Sequence, residues 1–258
     1  MSRLKGKIAI VTGASRRGGI GTAICRALAN EGADIFFTHF TSYDQNVIRY
    51  DDAENHWPER FSQELRGFGI QVEHMELDLS VTDSPSTLLD EVEARLGLPA
   101  ILVNNATHSV DVDFRQLTPD MLDAHYAVNV RGTCLLSVEF ARRLDGRHGG
   151  RIINLVSGQD KAPMAGNIAY VTTKGAISAF SRSLSAELAP LKITVNAVDP
   201  GPTDSGWMTE DLKHFLLPRF PMGRIGQPED VSRLIAFLAS DDAEWITGQI
   251  IHSDGGFW

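Results

Sequence analysis

Cysteine is nearly absent from the chain: Cys25 and Cys134 are the only two in 258 residues. Each sits in an apolar, helix-like pattern. Both are therefore expected to be buried reduced thiols rather than parts of a disulfide framework, with the cytoplasm as the default compartment. Basic charge is also short. A formal net charge of −9 leaves no cationic surface to neutralise phosphates, which argues against non-specific nucleic-acid binding. No apolar run approaches the ~20 residues needed to cross a bilayer. The opening MSRLKGKIAIVTG carries one short apolar run before Gly13 and no secretory core. Nucleic acid and membrane are thus not expected partners. The eight histidines are scattered, with no His/Asp/Glu cluster at ligand spacing, so no catalytic metal is expected. Repeats, low-complexity tracts and linkers are missing as well, and the length suits one large α/β domain over 1–258.

What is present is a strict alternation. Lys7–Thr12, Asp34–Thr38, Val72–Met75, Ala100–Asn104, Arg151–Val156, Ile193–Val198 and Gln249–Ile251 are short, β-branched and mostly apolar throughout, as strands buried on both faces are. Between them lie helix candidates at Ile20–Glu31, Glu54–Gly67, Thr82–Leu96, Thr118–Leu144, Ala169–Leu188 and Glu229–Ala239. Pro85, Pro119 and Pro228 mark helix starts, and Gly32 and Gly97 fall just past helix ends. The order predicts a single doubly wound Rossmann domain, a parallel sheet of about seven strands flanked by helices. Two stretches break the rhythm. Thr41–Trp57 is a long polar connection, and Asp204–Met222 is a loop rich in large apolar residues. The second follows a strand's carboxyl end, where such sheets bind ligands, and is read as a substrate lid. The alternative is a loop packed on the surface or on a neighbouring subunit.

The first strand runs into Gly13-Ala14-Ser15-Arg16-Arg17-Gly18-Gly19-Ile20-Gly21, which opens the first helix. Glycines there permit a sharp turn and close approach of backbone to a pyrophosphate, and the helix start supplies N–H donors. Gly13, Ser15, Arg16, Arg17, Gly19, Ile20 and Gly21 are the candidate cofactor contacts. An NAD site usually carries an acidic residue at the end of the second strand, but here that strand ends in Thr38-His39-Phe40. The missing carboxylate and the two arginines favour NADP(H) over NAD(H).

Ser157 closes the fifth strand, and Tyr170 and Lys174 lie four residues apart at the head of the next helix. That spacing puts phenol and ammonium on one face. A neighbouring cation is expected to lower the phenol from its ordinary value near 10, making it a usable acid near neutrality. Ser157 is spaced to hydrogen-bond the same substrate oxygen.

These segments together resemble the short-chain dehydrogenase/reductase family over essentially the whole chain. The shared marks are the glycine turn, Asp78-Leu79, Asn104-Asn105-Ala106, Asn129, Ser157, Tyr170-x3-Lys174 and Pro200-Gly201. The resemblance implies that Asp78 and Leu79 contact adenine and that Asn104, Asn105 and Ala106 border the cofactor. It makes Asn129 the anchor of a water relay to Lys174, with Lys174 also holding the nicotinamide ribose. It sets Thr203, after Pro200 and Gly201, against the carboxamide. The run from Gly226 to Asp230 and Ile246-Thr247-Gly248-Gln249 is similar to bacterial 3-oxoacyl-carrier-protein reductases, which commonly form tetramers through two long helices. A homotetramer follows as an expectation.

The departures are equally specific. The glycine turn is two residues longer than the family's usual one and resembles that of enoyl reductases, but the Tyr170–Lys174 spacing returns the reading to carbonyl chemistry. Thr107 stands where glycine is usual, His108 after it would narrow the site mouth, and Ser205 replaces a threonine. The carrier-docking arginines correspond to Leu191, beside Lys192, and to His148, beside Arg147. A 3-oxoacyl thioester therefore shares the field with a small free ketone, a keto-sugar or an aromatic ketone. A non-catalytic NADP(H) sensor is the reading from a different class, and the retention of Asn129, Ser157, Tyr170 and Lys174 argues against it.

Overall fold

In the computed structural model, residues 2–144 and 149–257 are described. Seven parallel strands form one sheet in the order β3-β2-β1-β4-β5-β6-β7. They are β1 Ile8–Val11, β2 Asp34–His39, β3 Val72–Glu76, β4 Ile101–Asn104, β5 Gly150–Leu155, β6 Ile193–Asp199 and β7 Ile250–His252. Each lies within one residue of the segment its apolar run predicts. The central strands are buried on both faces, as the unbroken runs require.

The helices are α1 Ile20–Asn30, α2 Thr41–Tyr43, α3 Trp57–Arg66, α4 Ser84–Arg95, α5 Pro119–His125, α6 Thr133–Arg143, α7 Ile168–Leu188, α8 Glu210–Leu216 and α9 Pro228–Ala239. One apolar core lies on the α1, α3 and α9 side of the sheet, and a second lies on the α4, α6 and α7 side. Pro119 and Pro228 open α5 and α9, where a missing N–H has no intrahelical partner to lose.

Two expectations need correction. Thr118–Leu144 is not one regular helix: between α5 and α6 the backbone widens into a π-helical stretch, Tyr126–Gly132. Such a turn leaves composition unchanged and shows only as a shift in the phase of the apolar spacing. The long connection after β2 is not plain loop either. It begins with α2, continues as a π-helical turn at Asp44–Ile48, and reverses at Arg49, whose φ of 63° lies in the left-handed region. The helix predicted from Glu54 accordingly starts at Trp57.

The sheet reverses its direction of growth between β1 and β4, so the loops leaving these strands diverge and open a crevice at their carboxyl ends. Directly beneath it, Asn104 joins four elements. Its side-chain amide donates to Asn154 Oδ1 on β5 at 2.7 Å and to Ser137 Oγ on α6 at 2.9 Å. Asn154 in turn donates to Ser181 Oγ on α7 at 2.8 Å. Asn104 is buried, so its side chain braces the floor rather than bordering a ligand. Asn104→Ala should therefore lower unfolding free energy by about 1–3 kcal/mol, because it strands a buried Asn154 oxygen. A urea midpoint equal to that of the unaltered chain would contradict this bracing role.

Candidate active site

The glycine turn is built against the end of β4. Gly13 has a φ of 76°, and a Cβ there would lie 2.8 Å from Ala106 Cα. At Gly21 a Cβ would meet Gly13 O at 2.5 Å, so the start of α1 can pack this tightly only without a side chain. Thr38 Oγ1 accepts the Gly13 N–H at 3.2 Å, and Ser15 Oγ accepts the Phe40 N–H at 2.9 Å. No side chain caps α1 at Gly19, which leaves its first N–H groups directed into the crevice beside Ile20. This is the donor set that a dinucleotide pyrophosphate requires, and the close Gly13–Ala106 approach is the cradle that any Cβ would fill. The residues fit the cofactor expected from the sequence.

The two arginines of the turn behave differently. Arg17 is exposed. Arg16 is buried, donates to the Ser205 carbonyl, pairs with Asp52 at 3.3 Å, and stacks its guanidinium 3.5 Å from the Tyr50 ring centroid. Asp52 also accepts the Gly18 N–H at 2.7 Å. Asp44 interacts with Ser15 and Arg16, although burial holds its carboxyl above its ordinary value. Sequence reading left Asp44, Tyr50 and Asp52 out of the site. The one available signal was the unusual length of the polar connection that carries them.

Ser157, Tyr170 and Lys174 come together at the carboxyl ends of β5 and β6. Ser157 leaves β5 in extended conformation, and α7 carries the other two on consecutive turns. Lys174 is buried, donates to the Leu155 carbonyl at 2.8 Å, and lies 5.4 Å from the Tyr170 ring centroid. Burial pulls its ammonium down to about 8. Burial also pushes the Tyr170 phenol above its ordinary value, opposed by the nearby Ser157 hydroxyl, which itself points to Met164 Sδ at 3.6 Å. The lowering of the phenol expected from Lys174 is thus not produced by the protein's own groups. Desolvation is the larger influence at both residues, and the ammonium is turned towards Leu155.

Asn129 occupies the widened turn between α5 and α6. Its amide donates to the His108 carbonyl at 2.8 Å and to Thr173 Oγ1 at 2.9 Å, while its oxygen accepts the His108 N–H at 2.7 Å. It therefore ties the loop after β4 to α7, one residue before Lys174. His125, fully buried, supports the same loop by accepting the Val110 N–H at 3.1 Å. His108 packs 4.5 Å from the His125 ring and 5.2 Å from the Tyr43 ring, and burial holds it down at about 4, so it is neutral.

The other expected contacts ring the same crevice. Asp78 follows β3 and accepts the Ser80 N–H at 2.8 Å, and Leu79 beside it is buried. Asn105 and Ala106 follow β4, and Pro200, Gly201 and Thr203 follow β6. The segment Asp204–Met222, expected to form a lid, is partly regular. It contains α8, and Met208, Leu216 and Phe220 form a small apolar cluster of their own, while Trp207, Phe215, Leu217 and Met222 stay exposed. Trp207 Nε1 donates to the Thr203 carbonyl at 2.8 Å. Arg147 and His148 lie outside the described residues.

Scattered spacing did conceal one cluster. Asp199, His252 and Asp254 bring ligand-type atoms within 4.8 Å of one another, because β6 and β7 are neighbours in space. Their atoms are already engaged. Asp199 accepts the Gly201 N–H and pairs with His252, both at 2.8 Å, and Asp254 pairs with Lys161.

Comparison with known proteins agrees with this architecture. A family profile described as Enoyl-(Acyl carrier protein) reductase matches residues 13–258. The chain is 56% identical over 259 residues to the uncharacterized oxidoreductase YjdA of Bacillus subtilis, covering 100% of this chain and 99% of that one. It is 31% identical to the 3-oxoacyl-acyl-carrier-protein reductase FabG of Aquifex aeolicus, covering 99% of each. Among solved structures, a blue fluorescent protein from a metagenomic library, in complex with NADPH, superposes with a TM-score of 0.86 at 31% identity, covering 99% of each chain. With its seven-stranded parallel sheet, glycine turn and Ser157–Tyr170–Lys174 arrangement, this chain belongs to the short-chain dehydrogenase/reductase family, whose enzymes act on carbonyl and alcohol groups.

Proposed function

We propose that the protein is an NADP(H)-dependent reductase of ketones, with Tyr170 as proton donor. The observation that carries this reading is that Ser157, Tyr170 and Lys174 stand at the carboxyl edge of the same sheet whose first strand leads into the uncapped start of α1. When bound, a reduced nicotinamide supplies the hydride. The chain's own groups do the rest. Tyr170 and Ser157 present two O–H donors to the carbonyl oxygen, and Tyr170 releases its proton as negative charge develops there. Lys174, cationic below about pH 8, would stabilise the phenolate left behind by turning from the Leu155 carbonyl towards Tyr170. Asn129 acts as a positioning residue, tying the loop over the site to α7 through His108 and Thr173.

Gly13, Ser15, Gly19, Ile20 and Gly21 would cradle the pyrophosphate, Asp78, Leu79, Asn105 and Ala106 the adenosine half, and Pro200, Gly201 and Thr203 the nicotinamide end. Preference for NADP(H) is supported by Arg16, Arg17 and the absence of a carboxylate in Thr38-His39-Phe40. A structurally similar protein is in complex with NADPH. A 3-oxoacyl thioester or a smaller ketone would approach past Trp207 and Phe215. Tyr126 and Leu135, exposed on the α5–α6 face, support the homotetramer, and the charge and thiol content support a cytoplasmic site of action.

Three measurements bear on this. Steady-state kinetics should give a higher kcat/KM with NADPH than with NADH, and Arg17→Ala should narrow the gap; equal values in the unaltered protein would remove the preference. Tyr170→Phe should lower kcat by about 10²–10⁴-fold, the usual worth of a positioned general acid, with NADPH binding by fluorescence unchanged. Ketone reduction should fall as pH rises through about 8, where the Lys174 ammonium loses its proton. Lys174→Arg keeps the charge at all these values and should move that falling limb upward; an unmoved limb would assign it to another group.

A further inference from the structure

The connection between β2 and α3 crosses the cofactor crevice. After α2 and its π-helical turn, the left-handed residue Arg49 reverses the chain and returns it over the carboxyl edge of the sheet. At one end, the Tyr43 hydroxyl accepts the Ser109 N–H at 2.8 Å, in the loop that follows β4. At the other, Tyr50 stacks on Arg16, and Asp52 takes both the Gly18 N–H and the Arg16 guanidinium. Ser15 and Arg16, at the heart of the phosphate turn, are in this way buried by the chain itself.

The pattern at Asp52 is that of a bound phosphate. One carboxylate oxygen accepts a backbone N–H of the glycine-rich turn and the other pairs with one guanidinium nitrogen of Arg16, whose remaining donor reaches Ser205. Asp52 and a dinucleotide phosphate therefore need the same donors, and two anions sharing them would repel. The hold on Asp52 is moderate. Its side chain is one-third exposed, its reach depends on a non-glycine residue in left-handed conformation, and its neighbour Asp44 is kept close to the turn against desolvation.

We propose that residues 41–52 form a strap that competes with the dinucleotide for the crevice, with Asp52 as an internal anion that the cofactor's phosphate displaces. The inference rests on the cofactor reading above. It makes apparent affinity depend on the fraction of molecules whose strap is released, so weakening the strap tightens cofactor binding without any new contact to the cofactor.

The test uses the 258-residue chain and its Asp52→Asn variant, which keeps the shape and removes the charge. Fluorescence titration should show NADPH bound about tenfold more tightly by the variant, the gain expected if the strap is released in roughly one molecule in ten of the unaltered chain. Trypsin supplies a second readout, because Arg49 is exposed on the strap. NADPH should speed cleavage after Arg49 in the unaltered chain. Slower cleavage with NADPH would mean that the segment closes over the cofactor, and weaker or unchanged binding by Asp52→Asn would mean that the carboxylate does not compete. Either result overturns the proposal while leaving the cofactor reading standing. An equal gain for NADH and NADPH upholds the strap even where the preference for NADPH fails. If neither protein binds either dinucleotide, strap and cofactor reading fall together.

Discussion

The Thr12 hydroxyl accepts two backbone N–H groups, those of Asn105 and Ala106, each at 3.0 Å. The Asn105 amide returns the contact by donating to the Thr12 and Gly13 carbonyls at 2.8 and 3.0 Å. These bonds stitch the end of β1 to the end of β4 at the point where the sheet changes its direction of growth. Both strands must leave the sheet here in opposite directions, and their polar backbone would otherwise be stranded at the edge of a dry core. The stitch satisfies it, draws Ala106 onto Gly13, and sets the separation of the two walls of the crevice. The start of α1, the Asn129 tie and the position of the β4 loop are all referred to this junction.

Desolvation then governs the chemistry on those walls. Lys174 is sealed between α7 and β5 with one carbonyl partner, and Tyr170 is shielded beside it. An ammonium and a phenol so placed respond to each charge brought near them far more strongly than they would in water. The protein thus holds its proton-transfer groups in their neutral-favouring environments, and small additions of charge at the crevice have large effects on them.

How much of this was legible in the sequence depends on what kind of interaction made each part. The strands were readable because burial on both faces leaves an unbroken apolar run, and the glycine turn because only glycine tolerates the approach to Ala106 and Gly13 O. Ser157, Tyr170 and Lys174 were readable because their spacing is local to one strand–helix unit. The strap was not. Asp52 reaches Gly18 across 34 positions, through a left-handed arginine that no residue preference announces. The Asp199–His252 pair was hidden in the same way, by a parallel strand pairing that spans 53 positions. Asn104 was misjudged for a subtler reason: neighbouring side chains on a strand point to opposite faces, so Asn104 faces the floor while Asn105 faces the stitch.

The wide turn at Tyr126–Gly132 has a consequence for how this helix can vary. Each residue advances a helix by roughly 100°, so one extra residue within a turn resets the rotational phase of everything after it. Upstream, the phase is locked by His125, which is buried and bonded to the β4 loop. Downstream, it is locked by Leu136 and Phe140, which face the sheet, while Leu135 faces outward. The two halves are therefore indexed to different parts of the molecule, and the bulge absorbs the mismatch between them. A length change between these two locks would turn one half of the helix against its anchor, whereas one beyond them would leave the outward face of α6 in the same angular relation to Asn129.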